Sequence, residues 1–534
     1  MPASINQNIR RGVVYTPAEV ARELARYVCL GKSIETLSIL EPSVGDGAFL
    51  HALTDQGVNE KSIQAIDISK VAVRRLKEDY QDVDLVVDDF ISFSLKNSQE
   101  YDVLIGNPPY IRRHNYTKNL HANITKLSKV SNYQLGDLRN AWAAFLVASL
   151  SQLKEDGVLA FILPYELMTV SYGRHIQNWL NEHFKRVDVF VPRNKAFPNI
   201  DQDAVTLIAR NDGVGADGFY MHNVECLSDL NDQHPVQVTF DDSLSISIEQ
   251  KKFLLKSETV QFLHKIRARL DRVSDYCDSS TGIVTAANSF FILTEKQVKE
   301  HSLHKWTKPI LKKASYLSKS VDFSKEDLER LQADEPCCLL DFGNVEFDEL
   351  DEHAKKYVRL GESLGLNNRF KCRNRKPWYR VPVLDQTEGF FFKRSHLLPR
   401  LNVNKAEALV TDTAYRIRMK PGRNIEDLCY SFYNSMTLLF AEIDGRFYGG
   451  GVLEVTPNEF KNLPIVFIEP RKAEYKRFKK AIERELLAPS ENFTFGDDWL
   501  KQKMQFSSEE MTMIQDALVT VRNHRLRHGA KVAA

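Results

Sequence analysis

An amide, two prolines and an aromatic ring follow one another at Asn107-Pro108-Pro109-Tyr110. The Asn107 Oδ1 atom and the Pro108 carbonyl could each accept one N–H of an exocyclic amine, while the Tyr110 ring stacks on the planar ring that carries the amine. The lone pair of an arylamine is delocalised into its ring. Two acceptors that pull the nitrogen toward tetrahedral geometry would free that lone pair for attack. The alternative interpretation of these four residues is a rigid turn without chemistry.

A buried strand must position this turn. Val103 to Ile105 is a short apolar run, and the glycine and prolines that follow it end the strand. Three earlier segments share this plan of an apolar strand followed by polar or glycine residues: Leu40-Glu41-Pro42 with Gly45 and Gly47, Ile63 to Ile68 with Asp67, and Leu85 to Val87 with Asp88-Asp89-Phe90. Such ends line the carboxyl edge of a parallel sheet, where open α/β sheets bind ligands.

The residue types at these ends suit a nucleoside that carries an amino-acid tail. A carboxylate at Glu41, in place of a phosphate-binding loop, suits a cationic amino-acid end. Asp67, about 20 residues after the glycine turn, could accept both ribose hydroxyls. Asp89 could accept from the amino group of an adenine, and Phe90 could stack on it. A glycine turn alone is more often structural.

Taken together, these motifs resemble the amino-group DNA methyltransferases that use S-adenosylmethionine, in the N6-adenine arrangement of restriction–modification methylases. Val14-Tyr15-Thr16-Pro17 adds to the resemblance, which is close over roughly the first 240 residues. The resemblance implies an α/β fold, with a Rossmann-like class I methyltransferase sheet followed by a mixed α+β target-recognition domain.

The resemblance also implies roles for individual residues. S-adenosylmethionine would be bound by Tyr15, Thr16, Glu41, Pro42, Gly45, Gly47, Asp67, Asp89 and Phe90. The catalytic residues would be Asn107, Pro108, Tyr110 and Phe197. Phe197 would stack on the face of the extruded base opposite Tyr110, and the alternative is a loop phenylalanine packed on the sheet. The turn Ser43-Val44-Gly45-Asp46-Gly47 departs from the family pattern.

The chain is long enough for more than one core. We predict a catalytic domain over residues 1–240, a linker and connecting helix over 241–272, and a DNA target-recognition domain over 273–534 with a helical C-terminal cap. Thr16 is predicted to cap a helix from Ala18 to Leu30, and a second helix is predicted over Thr259 to Arg272. Residues 111–136 are predicted to form a basic loop.

Charge is balanced, with 72 basic and 71 acidic residues, so a nucleic-acid surface must be local. We expect DNA contacts from Arg112 and Arg113 beside the catalytic turn, and from Arg373, Arg375 and Lys376 within the basic and aromatic segment 369–380. A solvated surface is the alternative for such runs. The expected partner is double-stranded DNA, with a separate cognate restriction endonuclease also compatible with the resemblance.

Other features argue against several classes of protein. The 7 cysteines show no zinc-type spacing, and no apolar run is long enough to span a membrane or serve as a signal sequence. A cytoplasmic protein without a bound metal is therefore expected. Because the methylase motifs begin near Gly12, no fused nuclease is expected.

Three alternative activities remain. Cytosine N4 methylation uses the same mechanism, although that family more often has serine in place of Asn107. Protein or RNA amine methylases also use this motif, but they need no separate recognition region. A DNA-binding protein without catalysis would not be expected to retain Asn107 and Tyr110.

Overall fold

The computed structural model describes residues 14–131, 133, 140–169, 171–194, 197, 203–231, 235–238, 254–448, 451–487 and 494–526. The chain divides into two compact units, and the division falls between Lys256 and Ser257. Of the predicted linker and connecting helix at 241–272, residues 241–253 lie outside the described residues.

The first unit consists of one sheet with helices. Its strands are β1 Ile39–Glu41, β2 Ile63–Asp67, β3 Asp84–Val87, β4 Tyr101–Gly106, β5 Leu153–Pro164, β6 Arg186–Pro192, β7 Ala204–Arg210, β8 Gly218–Val224 and β9 Val236–Val238. Its helices are α1 Ala18–Cys29, α2 Ala48–Asp55, α3 Lys70–Asp79, α4 Phe90–Ser94, α5 Lys118–Val130, α6 Ala141–Leu150, α7 Glu166–Thr169 and α8 Ser171–His183.

The strand order places β1 and β4 side by side near the middle of the sheet. Within the described parts of the chain, the order is β3-β2-β1-β4-β5-β7-β6-β8-β9. Strands β1 to β5 pair in parallel, whereas β7 runs antiparallel to both β5 and β6. After β1 the chain builds outward through β2 and β3, then returns on the other side at β4. This reversal is the topological switch point at which doubly wound sheets bind ligands. The predicted class I methyltransferase sheet is confirmed.

Burial on both faces explains why the central strands are continuous apolar runs. Ile39 and Leu40 of β1 and Val103 to Ile105 of β4 are fully buried, as expected for parallel strands covered on both sides. Ile39 pairs with Ile63 on one side and with Val103 on the other. The ends of β1, β2 and β4 therefore lie next to one another.

The second unit mixes short strands and helices. Its strands are β10 Asp271–Arg272, β11 Cys277–Thr281, β12 Ile292–Leu293, β13 Thr307–Leu311, β14 Asp322–Phe323, β15 Cys338–Leu340, β16 Gly389–Phe392, β17 Arg394–Ser395, β18 Leu401–Asn404, β19 Leu409–Val410, β20 Ala414–Met419, β21 Arg446–Tyr448, β22 Val452–Glu454 and β23 Pro464–Ile465. They form sheets in the orders β11-β20-β16-β18-β14, β12-β15-β13-β19, β17-β22-β21 and β10-β23.

The helices of the second unit are mostly short until the C-terminal part. They are α9 Ser257–Arg267, α10 Val273–Tyr276, α11 Asn288–Phe291, α12 Glu295–His301, α13 Lys325–Asp334, α14 Glu352–Ser363, α15 Phe370–Arg373, α16 Ile425–Phe432, α17 Ser435–Asp444, α18 Pro457–Lys461, α19 Lys472–Leu487, α20 Asp497–Met504 and α21 Ser508–Leu526. The last three lie in the C-terminal part of the chain, where a helical cap was predicted.

Three local predictions were wrong. The N-cap residue of α1 is Pro17, with no side-chain cap, because the Thr16 hydroxyl is engaged elsewhere. The segment predicted as a basic loop contains α5, which is capped by Thr117 and buries Ile124 and Leu127. Helix α9 ends at Arg267, because Asp271 and Arg272 pair with β23. No helix in the described ranges is long and apolar enough to cross a bilayer.

Candidate active site

The turn after β4 is held against the turn after β1. The Ser43 hydroxyl donates to the main-chain carbonyl of Asn107 at 3.1 Å. A Cβ placed on Gly106 would lie 3.3 Å from Pro42 Cδ, so glycine permits this close approach of the two chains. The start of Asn107-Pro108-Pro109-Tyr110 is therefore fixed at the switch point of the sheet.

The side-chain amide of Asn107 is oriented by the segment that precedes α1. Its Nδ2 atom donates to the Val14 carbonyl at 3.0 Å and to the Thr16 hydroxyl at 3.2 Å. Both N–H groups are thereby used. The Oδ1 atom is buried and has no hydrogen-bond partner among the described residues. An unpaired buried acceptor is costly unless a donor arrives, so Asn107 presents an acceptor for a ligand N–H.

Tyr110 is anchored on the neighbouring strand. Its hydroxyl donates to the Ile162 carbonyl of β5 at 3.3 Å, and burial raises its pKa, so the hydroxyl remains protonated. The ring is half-buried, with its orientation set by this bond. Phe197 differs, because its ring is only 3% exposed and belongs to the apolar core of the first unit. The structure thus shows the packed arrangement that was the alternative for Phe197.

Glu41 ends β1 as a buried carboxylate. It is 1% exposed, and its Oε2 atom has no hydrogen-bond partner in the described part of the chain. Burial raises its pKa well above the usual value, and the charges of Asp46 and Asp67 raise the pKa further. A cation such as an ammonium group, bound next to Glu41, would strongly stabilise the charged form of this side chain.

The glycine turn after Glu41 connects this carboxylate to the end of β2 and to the segment that precedes α1. Gly45 has a φ of +57°, which suits glycine, and its N–H donates to Asp67 Oδ2 at 2.9 Å. The other Asp67 oxygen accepts from the Ser69 N–H at 2.7 Å. A Cβ on Gly45 would lie 4.0 Å from the ring of Tyr15, which is 52% exposed. Gly47, with a φ of +91°, is the N-cap residue of α2.

Asp89 and Phe90 are engaged within the protein. Asp89 Oδ1 caps α4 by accepting from the Ile91 N–H at 2.9 Å, and Oδ2 accepts from Asn123 Nδ2 at 3.3 Å. Phe90 is 2% exposed and its ring packs against Phe145, with centroids 5.1 Å apart. The expected stacking role of the Phe90 ring finds no support in this geometry, because the ring is occupied by core packing.

Comparison with known proteins adds two family models that match successive parts of the chain. The Eco57I restriction-modification methylase model matches residues 18–197, and the model of the C-terminal domain of the Type II methyltransferase M.Eco57I matches residues 248–489. The chain belongs to this restriction–modification methylase family.

Individual relatives agree with this assignment over most of their length. The Type II methyltransferase M.AccI of Acinetobacter calcoaceticus is 25% identical over 472 residues, covering 83% of each chain. M.XamI of Xanthomonas campestris pv. amaranthicola is 22% identical over 489 residues, covering 86% of each. The DNA complex of the Type IIL restriction-modification enzyme MmeI has a TM-score of 0.56 at 11% identity, covering 96% of this chain and 73% of that one, which shows a shared fold.

The basic residues predicted to contact DNA in this methylase fall into different environments. Arg112 is 58% exposed at its side chain, and its guanidinium lies 3.8 Å from Glu166. Arg113 is exposed, as are Arg373 and Lys376 in the second unit. Arg375 instead donates to the Val284 carbonyl at 2.8 Å and to the Thr285 carbonyl at 2.9 Å. Arg375 therefore has a structural role that its spacing in the sequence did not reveal.

Several residues that shape the site were not predicted. The Val14 and Ile162 carbonyls are main-chain groups, and nothing in the sequence marks them. Asn123 lies in a segment that we predicted as a loop, so its contact with Asp89 was unforeseen. Ser43 could have been identified, because a hydroxyl next to the Glu41-Pro42 turn is a natural partner for a neighbouring main-chain carbonyl. No cluster of metal-ligand side chains is found where the structure describes the chain.

Proposed function

We propose that this protein is a site-specific DNA adenine-N6 methyltransferase that uses S-adenosylmethionine and serves as the modification enzyme of a restriction–modification system. The observation that carries the proposal is the buried, unpaired Asn107 Oδ1 at the switch point, with its Nδ2 anchored on Val14 and Thr16. Family membership supports methyl transfer to DNA, and the site geometry supports an amino group as the acceptor.

The residues at the carboxyl edge fit the cofactor. The unpaired carboxylate of Glu41 would bind the ammonium group of the methionine end, beside Tyr15 and the Gly45 turn. Asp67 retains acceptor capacity for ribose hydroxyls, because each carboxylate oxygen can accept more than one hydrogen bond. Asp89, which follows the end of β3, would accept from the amino group of the cofactor's adenine. S-adenosylmethionine, when bound, supplies an electrophilic methyl group on a sulfonium.

The chain's own groups prepare the amine that attacks this methyl group. Asn107 Oδ1 and the Pro108 carbonyl would each accept one N–H of the target base, and Tyr110 would stack on one face of its ring. These contacts strengthen as the nitrogen becomes tetrahedral, so they act chiefly in the transition state. Phe197 is the proposed stacking partner on the other face, a role that would require its ring to leave the core.

Adenine in duplex DNA is the proposed target. Its N6 is not reachable for in-line attack inside a stacked duplex, so the base must be swung out into the pocket. Cytosine N4 methylation needs the same two acceptors, but asparagine at position 107 favours adenine. Methylation of a protein or RNA amine leaves the second unit, Ser257–Leu526, without a role. That unit would supply the recognition of the DNA sequence.

The test is Asn107→Ala, with Asn59→Ala as a control, since Asn59 is an exposed asparagine of the same unit. Asn107→Ala should bind S-adenosylmethionine and DNA normally but transfer methyl groups about a hundredfold more slowly, the scale for losing one transition-state hydrogen bond. Nucleoside mass spectrometry of the treated DNA identifies the product. A wild-type single-turnover rate for Asn107→Ala would refute the assignment of the site, and N4-methylcytosine would refute the choice of adenine.

A further inference from the structure

Phe370 is the most unusual aromatic residue of the second unit. Of the phenylalanines that the structure describes, it alone is exposed over most of its surface, at 69%. It is the first residue of the short helix α15, between the exposed side chains of Arg369 and Lys371. Single exposed apolar residues are common on protein surfaces, so the neighbourhood of Phe370 decides whether it has a role.

The charge around Phe370 is entirely positive along the chain. No acidic residue occurs between positions 363 and 384. Four basic side chains close to Phe370 in sequence are exposed, namely Arg369, Lys371, Arg373 and Lys376. The Arg373 guanidinium lies over the Phe370 ring, 5.3 Å from its centroid. An exposed aromatic ring among positively charged side chains suits a partner that offers both phosphates and flat aromatic surfaces.

The base of the segment is held firmly by the rest of the unit. Cys372 is fully buried in the core, and Arg375 is bonded to two main-chain carbonyls. Trp378 Nε1 donates to Glu362 at 3.1 Å, and a Cβ on Gly361 would lie 2.4 Å from the Trp378 ring, which shows how closely helix α14 approaches it. The residues that follow Phe370 are therefore anchored in the second unit, while its own ring is exposed and accessible to a partner.

We propose that Phe370 is a stacking wedge, whose ring inserts against the bases of a double-stranded DNA while the adjacent cations bind the flanking phosphates. Apolar side chains of this kind unstack a base step and bend the duplex, and the bend brings more of the protein into contact with DNA. This inference rests on the proposed function, since it takes DNA as the substrate, and it assigns that DNA a specific deformation at the second unit.

The test measures DNA binding without methyl transfer. A 40-bp duplex is selected from a random-sequence pool by the full-length wild-type protein, and fluorescence anisotropy then gives affinity over a series of salt concentrations. Phe370→Ala should weaken binding about 5- to 150-fold, the range for losing one aromatic stack on a single-stranded base, with an unchanged salt slope. Arg373→Ala should instead lower the salt slope by about 0.9, the value for one phosphate contact.

A tryptophan placed at the same position reports stacking directly. Phe370→Trp should keep wild-type affinity, and its added emission should be quenched on DNA binding. Leu364→Trp is the matched control, because Leu364 is 62% exposed and lies between the uncharged residues Ser363 and Gly365. Its emission should change little.

The outcomes separate the two proposals. If the wild-type protein selects no DNA, the proposed function fails together with the wedge. If wild-type binding is normal and Phe370→Ala binds equally well, only the wedge is refuted. A loss of affinity accompanied by the salt slope of Arg373→Ala would also refute it, because the ring would then serve merely to place Arg373. Equal quenching of both tryptophan variants would count against insertion of the ring.

Discussion

The buried carboxylate of Glu41 offers a test in which two measurements should move in opposite directions. Glu41→Gln keeps the shape of the side chain and removes its charge. The unpaired Oε2 would no longer attract an ammonium group, so S-adenosylmethionine should bind more weakly. The protein without cofactor should become more stable, since it no longer holds an uncompensated buried acid.

The magnitudes follow from the chemistry of the site. A hydrogen bond to a charged group contributes about 1.5–3 kcal/mol, so cofactor affinity should fall roughly 10- to 150-fold. For stability the sign depends on pH. The pKa of Glu41 is raised in the folded protein, so above about pH 4, its unfolded pKa, the folded state holds a proton that the unfolded state has lost. Stability of the wild-type protein therefore falls as pH rises through this window.

Calorimetric titration with S-adenosylmethionine and thermal unfolding at pH 4 and pH 8 provide the measurements. The Tm of Glu41→Gln should match wild type at pH 4 and exceed it at pH 8. Glu35→Gln is the control, because Glu35 is an exposed carboxylate that precedes β1, and it should change neither quantity. Unchanged cofactor affinity in Glu41→Gln would remove Glu41 from the cofactor site, and a lower Tm at pH 8 would contradict the assigned cost of burying the charge.

Two further substitutions test positioning. Thr16→Val removes one of the two acceptors that orient the Asn107 amide, so the single-turnover rate should fall about 2- to 12-fold, as expected for one neutral hydrogen bond. An unchanged rate would contradict the positioning role of Thr16. A higher Kd for S-adenosylmethionine would show the cofactor contact that was expected from the sequence. Arg375→Ala should lower Tm because two main-chain carbonyls lose their donor, whereas Arg373→Ala should leave Tm unchanged. The reverse result in thermal unfolding would contradict the structural role of Arg375 and the exposed, DNA-facing role of Arg373.

The sequence predicted the structure well where a buried apolar strand ends in a polar residue. The apolar runs before Glu41, Asp67 and Asn107 could be recognised as strands because parallel strands covered on both faces have few other options. Their polar ends then had to meet at one edge of the sheet. For this reason strands β1 to β4, and the meeting of their polar ends at one edge of the sheet, were predictable.

The remaining details depend on contacts between residues far apart in sequence. The local pattern predicts Thr16 as a helix cap. Its hydroxyl instead accepts a hydrogen bond from Asn107, which lies 91 positions later in the sequence. Arg375 reads as a DNA contact until the Val284 and Thr285 carbonyls are placed beside it. The burial of Phe90 and Phe197 likewise depends on how the helices and loops pack over the sheet, which local patterns do not specify.

The segment Val14-Tyr15-Thr16 serves two neighbours at once, and this limits which changes of length the chain can tolerate there. Val14 and Thr16 contact Asn107, while the ring of Tyr15 between them lies beside Gly45. One residue inserted or deleted between Val14 and Pro17 would exchange the two sets of contacts and disable both. A substitution changes only one side chain and leaves the other contacts in place. Sequence variation at Val14 to Thr16 is therefore expected as substitutions, whereas insertions and deletions are expected elsewhere in the chain.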